Sequence, residues 1–195
     1  MSGGVHAGKV AIVTGASRGI GYAVAERLVA EGARVCITAR KADALAEAAE
    51  ALGGPEHAIF VAGAADDLAH QDEVIATTID AFGGLDLLVN NTGINPVYGR
   101  MIDVDLQAAA KIFEVNVVAA IAWAQKAYRA SMEDNGGAIV NIASVAGKKP
   151  APGIGTYGAS KAALSHVTEE LAVELGPNIR VNAVSPGFIL TPNLQ

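Results

Sequence analysis

A chain of 195 residues, 51% apolar and 17% charged, suits one globular domain with a substantial core and excludes a disordered chain. A net charge of −6 argues against a general nucleic-acid binder, which carries a basic face. The lone Cys36 excludes an intrachain disulfide and offers no metal cluster; charges or glycines interrupt every candidate membrane span of roughly 18 residues, and the first nine residues lack the plan of a signal peptide, so a cytoplasmic protein is expected.

Short apolar runs alternate with helical patterns from end to end. Val10, Ala11, Ile12, Val13 and Thr14 read as a buried strand. Residues 19–31 follow as a helix with Ile20, Val24 and Leu28 on one face, stopped by Gly32. Residues 34–38 predict a second strand, in which Cys36 is a buried core thiol. A helix over 42–52 ends at Gly53-Gly54-Pro55. Then come a strand at 58–61, a helix at 68–82, a strand at 85–89 and a long helix at 104–133. A strand at 138–142, a helix at 156–175 and a strand at 179–184 complete the pattern. The strands are continuously apolar, as strands covered on both faces must be. They predict a doubly wound α/β Rossmann fold over residues 1–195, a single domain with a parallel sheet of order 3-2-1-4-5-6. In such sheets ligands bind beyond the carboxyl ends of the strands, near the switch in strand order.

Gly15-Ala16-Ser17-Arg18-Gly19-Ile20-Gly21 joins the first strand to the first helix. Glycines there allow a tight turn and let the backbone approach a pyrophosphate resting on the helix N-terminus. Alone the pattern is weak; between a clear strand and a clear helix it indicates nucleotide binding through Gly15, Ser17, Arg18, Gly19, Ile20 and Gly21. Residues 15–19 also match a G-x-S-x-G nucleophile elbow centred on Ser17. A hydrolase would need a histidine placed late in the chain, and His166 lies mid-helix with no loop to aim it, so that reading is set aside. An acid at the end of strand two would bind the ribose of NAD, but Thr38-Ala39-Arg40-Lys41 stands there instead. With Arg18 close in the turn, Arg40 and Lys41 favour the 2′-phosphate of NADP(H), with NAD(H) as the alternative.

Tyr157 and Lys161, four apart, share one helix face. An ammonium beside a phenol favours the phenolate, so such a tyrosine can exchange a proton with a substrate oxygen. The pair alone is a poor signal. Together with the glycine turn, Asn90-Asn91-Thr92-Gly93, Asn116, Ser144, Tyr157-Gly158-Ala159-Ser160-Lys161 and Pro186-Gly187-Phe188-Ile189-Leu190-Thr191, it makes residues 9–191 resemble the short-chain dehydrogenase/reductase family. The motif details are most similar to its 3-oxoacyl-acyl-carrier-protein reductase-like group.

The resemblance implies an oxidoreductase that reduces a ketone or oxidises a secondary alcohol. Tyr157 is then the general acid or base, and Lys161 lowers its pKa and bonds the nicotinamide ribose. Ser144 hydrogen-bonds the substrate oxygen, and Asn116 holds a water in a proton relay. Asn90 contacts the coenzyme and steadies the sheet, Gly93 contacts the coenzyme, and Pro186, Gly187, Ile189 and Thr191 line the nicotinamide and diphosphate. A small-molecule carbonyl or alcohol substrate and a homo-oligomer, dimer or tetramer, are expected, with no metal, nucleic acid or membrane. The chain departs from the family pattern in three ways. Thr92 stands for an alanine, and Ala64-Ala65 for the Asp-Val pair that holds the adenine, with Asp66 and Asp67 just beyond. The family also continues for some fifty residues past the position of Gln195, supplying a seventh strand and the substrate cover. The expectation is therefore a C-terminally incomplete domain, with a nucleotide-binding module of little turnover as the alternative function.

Overall fold

The computed structural model describes residues 4–191. A parallel sheet of six strands in the order 3-2-1-4-5-6 forms its centre, as the alternation predicts. The strands are β1 (Val10–Thr14), β2 (Arg34–Ala39), β3 (Ala58–Ala62), β4 (Leu87–Asn90), β5 (Gly137–Ile142) and β6 (Ile179–Val184). The helices are α1 (Gly19–Ala30), α2 (Ala42–Ala51), α3 (Leu68–Phe82), α4 (Leu106–Asn135) and α5 (Gly155–Leu175).

Successive side chains of a strand point to opposite faces, and the two cores follow from that. Ala11, Val13, Val35 and Ile37 pack with Leu28 and Leu45 beneath α1 and α2. Ile12, Cys36, Leu88 and Ile139 pack with Val74, Ile75 and Trp123 beneath α3 and α4. Cys36 is a buried free thiol, and burial pushes its pKa up to about 11. It is a core residue, not a reactive one.

Helix ends follow local chemistry. Asp67 caps α3 by accepting from the amides of Ala69 and His70, and Gly83 ends it at φ 86°. Two boundaries differ from expectation. β4 begins at Leu87 because its pairing with β1 starts at Ala11↔Leu87, while Asp86 turns its carboxylate to Lys9 Nζ and the Val10 amide. The long helix begins at Leu106 because the Asp105 side chain caps it through the Gln107 amide. That helix widens into π-turns over Glu114–Val118 and Tyr128–Met132, a rare geometry that often marks a functional position.

The same helix corrects one expectation: a window within Leu106–Asn135, of mean hydropathy 1.3, is apolar enough by length and composition to cross a membrane. One apolar face of the helix serves the sheet instead, where Trp123, Ala124, Ala127 and Met132 are buried in the core. Trp123 ties α4 across the sheet by donating from Nε1 to the Ala65 carbonyl at 3.0 Å and meeting the His70 ring edge-on. Trp123→Ala is expected to destabilise the fold by about 3–5 kcal/mol, read as a lowered urea midpoint at unchanged slope.

Candidate active site

The switch in strand order falls between β1 and β4, where the chain leaves the two strands in opposite directions. Four hydrogen bonds build its floor. The Asn91 side-chain Nδ2 donates to the Thr14 carbonyl at 2.9 Å and to the Gly15 carbonyl at 3.1 Å. Thr14 Oγ1 accepts from the amides of Asn91 and Thr92, each at 3.0 Å. The turn itself takes left-handed backbone at Gly15 (φ 64°) and Gly19 (φ 62°), which favours glycine. At Gly21 a Cβ would lie 2.5 Å from Asn91 Nδ2 and 2.6 Å from the Gly15 carbonyl oxygen. Ser17 and Ile20 are half-buried along the turn; Arg18 is exposed at the head of α1, and its side chain does not cap the helix. Arg40 and Lys41 are exposed immediately beyond β2, at the same end of the sheet. A bare glycine turn at a helix N-terminus, flanked by basic side chains, fits a dinucleotide diphosphate.

The second half of the site stands beyond β5 and at the start of α5. The 145–147 turn presses onto α5 so closely that a Cβ on Gly158 would lie 2.6 Å from the Ala146 carbonyl oxygen. That approach brings Ser144 beside Tyr157. Ser144 Oγ accepts from the Ala146 amide at 3.1 Å, which leaves its proton free to donate. Burial raises the Tyr157 pKa above its ordinary value, and the Ser144 hydroxyl pulls it back. Lys161 is 2% exposed, donates from Nζ to the Ile142 carbonyl at 2.7 Å, and sits 5.8 Å from the centre of the Tyr157 ring. Burial pushes its pKa down to about 8. Gly93 borders the same ammonium, since a Cβ there would lie 3.1 Å from Lys161 Nζ.

The segment after β6 connects the two halves. The Ala143 amide donates to the Val184 carbonyl, and the Val145 amide donates to the Pro186 carbonyl at 3.0 Å. From there the chain passes Gly187 and Ile189 to Thr191, whose methyl lies 3.5 Å from where a Cβ on Gly19 would be. One strap thus runs from the neighbourhood of Ser144 to the glycine turn.

Residues 9–195 match the family model described as short chain dehydrogenase. The chain belongs to the short-chain dehydrogenase/reductase family. Among curated relatives, a dehydrogenase/reductase SDR family member 4 from Caenorhabditis elegans is 43% identical over 96% of this chain and 74% of its own length. A tropinone reductase-like 3 from Erythroxylum coca is 38% identical over 98% of this chain and 74% of its own. Among solved structures, L-sorbose reductase from Gluconobacter frateurii, complexed with NADPH and L-sorbose, superposes at TM-score 0.90. It is 36% identical and covers 99% of this chain and 74% of its own. A variant of actinorhodin polyketide ketoreductase with NADPH gives TM-score 0.89 at 32% identity, over 95% of this chain and 72% of its own.

Within this family member, the polar side chains around the site have defined partners. Asn90 ends β4 with its side chain buried on the α4 side, donating to the Ala120 carbonyl and to Asn141 Oδ1 at 3.0 Å. These bonds steady the sheet, as the resemblance implies. Asn116 commits both amide hydrogens, to the Ile94 carbonyl and to Ser160 Oγ at 3.0 Å each, while its Oδ1 accepts from the Ile94 amide at 2.7 Å. Its side chain anchors the π-turn of α4 to the loop after β4 and to α5. Lys161 donates to the Ile142 carbonyl, and at Tyr157 burial raises the pKa while the Ser144 hydroxyl lowers it. Asp66 pairs with Lys111 at 2.5 Å and Asp67 caps α3, so neither carboxylate is free for the adenine. His166 is exposed beside Glu169 and Glu170, which removes the relay that a Ser17 nucleophile would need.

Sequence reasoning passed over Asn91, Ser160 and His70. Asn91 was inside a quoted motif, and its side-chain bonds to β1 were the signal available. His70 is buried, bonds Thr38 Oγ1 at 2.7 Å and is kept neutral by burial, fixing the end of β2 that carries Arg40. Gly21→Ala, which drives a methyl into the Asn91–Gly15 contact, is expected to weaken NADPH binding by about tenfold or more in a fluorescence titration.

Proposed function

We propose that this chain is an NADP(H)-preferring carbonyl reductase, running as a secondary-alcohol dehydrogenase in reverse. The juxtaposition of Ser144, Tyr157 and the buried Lys161 at the end of the strap carries the proposal. When bound, the nicotinamide coenzyme supplies the hydride. Gly15, Ser17, Gly19 and Gly21 would hold its diphosphate, Gly93 and Lys161 its nicotinamide ribose, and Pro186, Gly187, Ile189 and Thr191 its nicotinamide side.

The chain's own residues manage the proton. Ser144 points a free hydroxyl proton at the substrate oxygen and stabilises negative charge as it develops there. Tyr157, protonated throughout the neutral range because burial raises its pKa, donates its phenolic proton to that oxygen. Lys161 is charged below its pKa of about 8 and stabilises the phenolate left behind. A ketone is the substrate class, and a 3-oxoacyl compound is one version of it, in keeping with the polyketide ketoreductase among the structural relatives. A homo-oligomer is supported by Val118 and Val173, apolar side chains left exposed on α4 and α5. A cytoplasmic setting suits a chain whose one cysteine is buried.

Tyr157→Phe is expected to cut kcat for NADPH-dependent ketone reduction by about a thousandfold while NADPH still binds. Full activity in that variant would overturn the mechanism. In the unaltered protein, kcat for reduction is expected to fall above about pH 8, as Lys161 loses its proton while Tyr157 keeps its own. Replacing Arg18 and Arg40 together with alanine is expected to weaken NADPH by about tenfold or more and to leave NADH nearly unchanged. Equal losses for both coenzymes would count against the preference for NADP(H).

A further inference from the structure

Ser160 is completely buried within the first turns of α5, and no role in the site has been assigned to it so far. Its hydroxyl is shared between two partners. Oγ accepts from Asn116 Nδ2 at 3.0 Å and donates to the Tyr157 carbonyl at 2.7 Å. Asn116 in turn grips Ile94 at both its amide and its carbonyl. A continuous line of hydrogen bonds therefore runs from the loop after β4, through the π-turn of α4, to the backbone of the proposed proton donor. Every link in that line is buried or half-buried, where each bond is worth more than at a surface and a lost partner leaves an unsatisfied group.

We infer that Ser160 is a positioning residue: it fixes the first turn of α5 against the Ile94 loop and so sets Tyr157 relative to Gly93 and Lys161. The inference rests on the reading of Tyr157 as proton donor. Its physical basis is that, among the described residues, only Ser160 is hydrogen-bonded to both Asn116 and Tyr157. Without its hydroxyl, Asn116 keeps only Ile94, and α5 can slide against the loop. Misplacement by a fraction of an ångström is costly in a site that depends on orientation.

The same helix provides a matched control. Ser165 is also buried, and its Oγ donates to the Lys161 carbonyl at 3.0 Å, but no hydrogen bond joins it to Asn116 or to the loop. Ser160→Ala and Ser165→Ala are to be compared on the full chain by hydrogen exchange at the Ile94 amide and by NADPH-dependent ketone reduction. The expected result is that Ser160→Ala speeds Ile94 exchange about tenfold and lowers kcat about tenfold with substrate KM little changed, while Ser165→Ala moves neither. Unchanged Ile94 exchange in Ser160→Ala would overturn the link. Faster exchange with undiminished kcat would overturn the positioning role, as would equal losses in the two variants. If the unaltered chain reduces no ketone, the proposed function fails, and the exchange comparison alone decides whether Ser160 holds the loop. Should Ser160→Ala not fold, Ser160→Cys, which keeps a weak donor of similar size, carries the same comparison.

Discussion

The tie between Thr14 and Asn91 is the constraint on which the site depends. A doubly wound parallel sheet leaves a crevice where strand order reverses, and that crevice must stay open to bind a ligand yet rigid enough to orient it. Here the Thr14 hydroxyl collects two amides from the chain leaving β4, and the Asn91 amide group returns two bonds to the chain leaving β1. These bonds satisfy backbone groups at strand ends that the sheet itself leaves unpaired. They also fix the carbonyl side of the glycine turn, so the first amides of α1 face the crevice. Gly21 is the consequence: with Asn91 locked in that position, no side chain fits there.

Across the crevice the organising problem is electrostatic. A buried ammonium is costly unless something faces it, and Lys161 has the Ile142 carbonyl at the end of β5. Burial lowers the lysine's pKa to about 8 and raises that of Tyr157, so the two groups move apart and the ammonium is the more acidic of the pair while the phenol keeps its proton. Ser144 is placed by a different force, the close packing of the 145–147 turn on Gly158. The strap from Pro186 to Thr191 then depends on both halves, because it is hydrogen-bonded at Val145 and reaches the glycine turn at Gly19.

Much of this was legible before any coordinates. The continuous apolar run Val10–Thr14, buried throughout, specifies a strand covered on both faces, whereas Ile179–Val184 carries Arg180 and Asn182 and is buried only at Ile179 and Val181; the alternation of strands with helices specifies a parallel sheet. The start of β4 was misjudged because a partner distant in sequence governs it. Leu87 starts β4 because it pairs with Ala11, and no local propensity at residues 85–86 records that. Likewise the composition of α4 does not record where its apolar residues go, and packing against the sheet decides it.

The sequence by itself determined the fold, the glycine turn and the residue types able to handle a proton, because each follows from period, spacing or side-chain chemistry. Tertiary structure decided what the buried amides and hydroxyls do. Asn90 and Asn91 are identical neighbours, yet one crosses into the core toward Asn141 and the other ties the crevice, since successive residues at a strand end face opposite ways. Asn116 and Ser160 lie 44 positions apart and meet only once α4 and α5 are laid on the same face of the sheet. A hydrogen-bond partner is a property of three-dimensional placement, so those assignments could not be read from the chain alone.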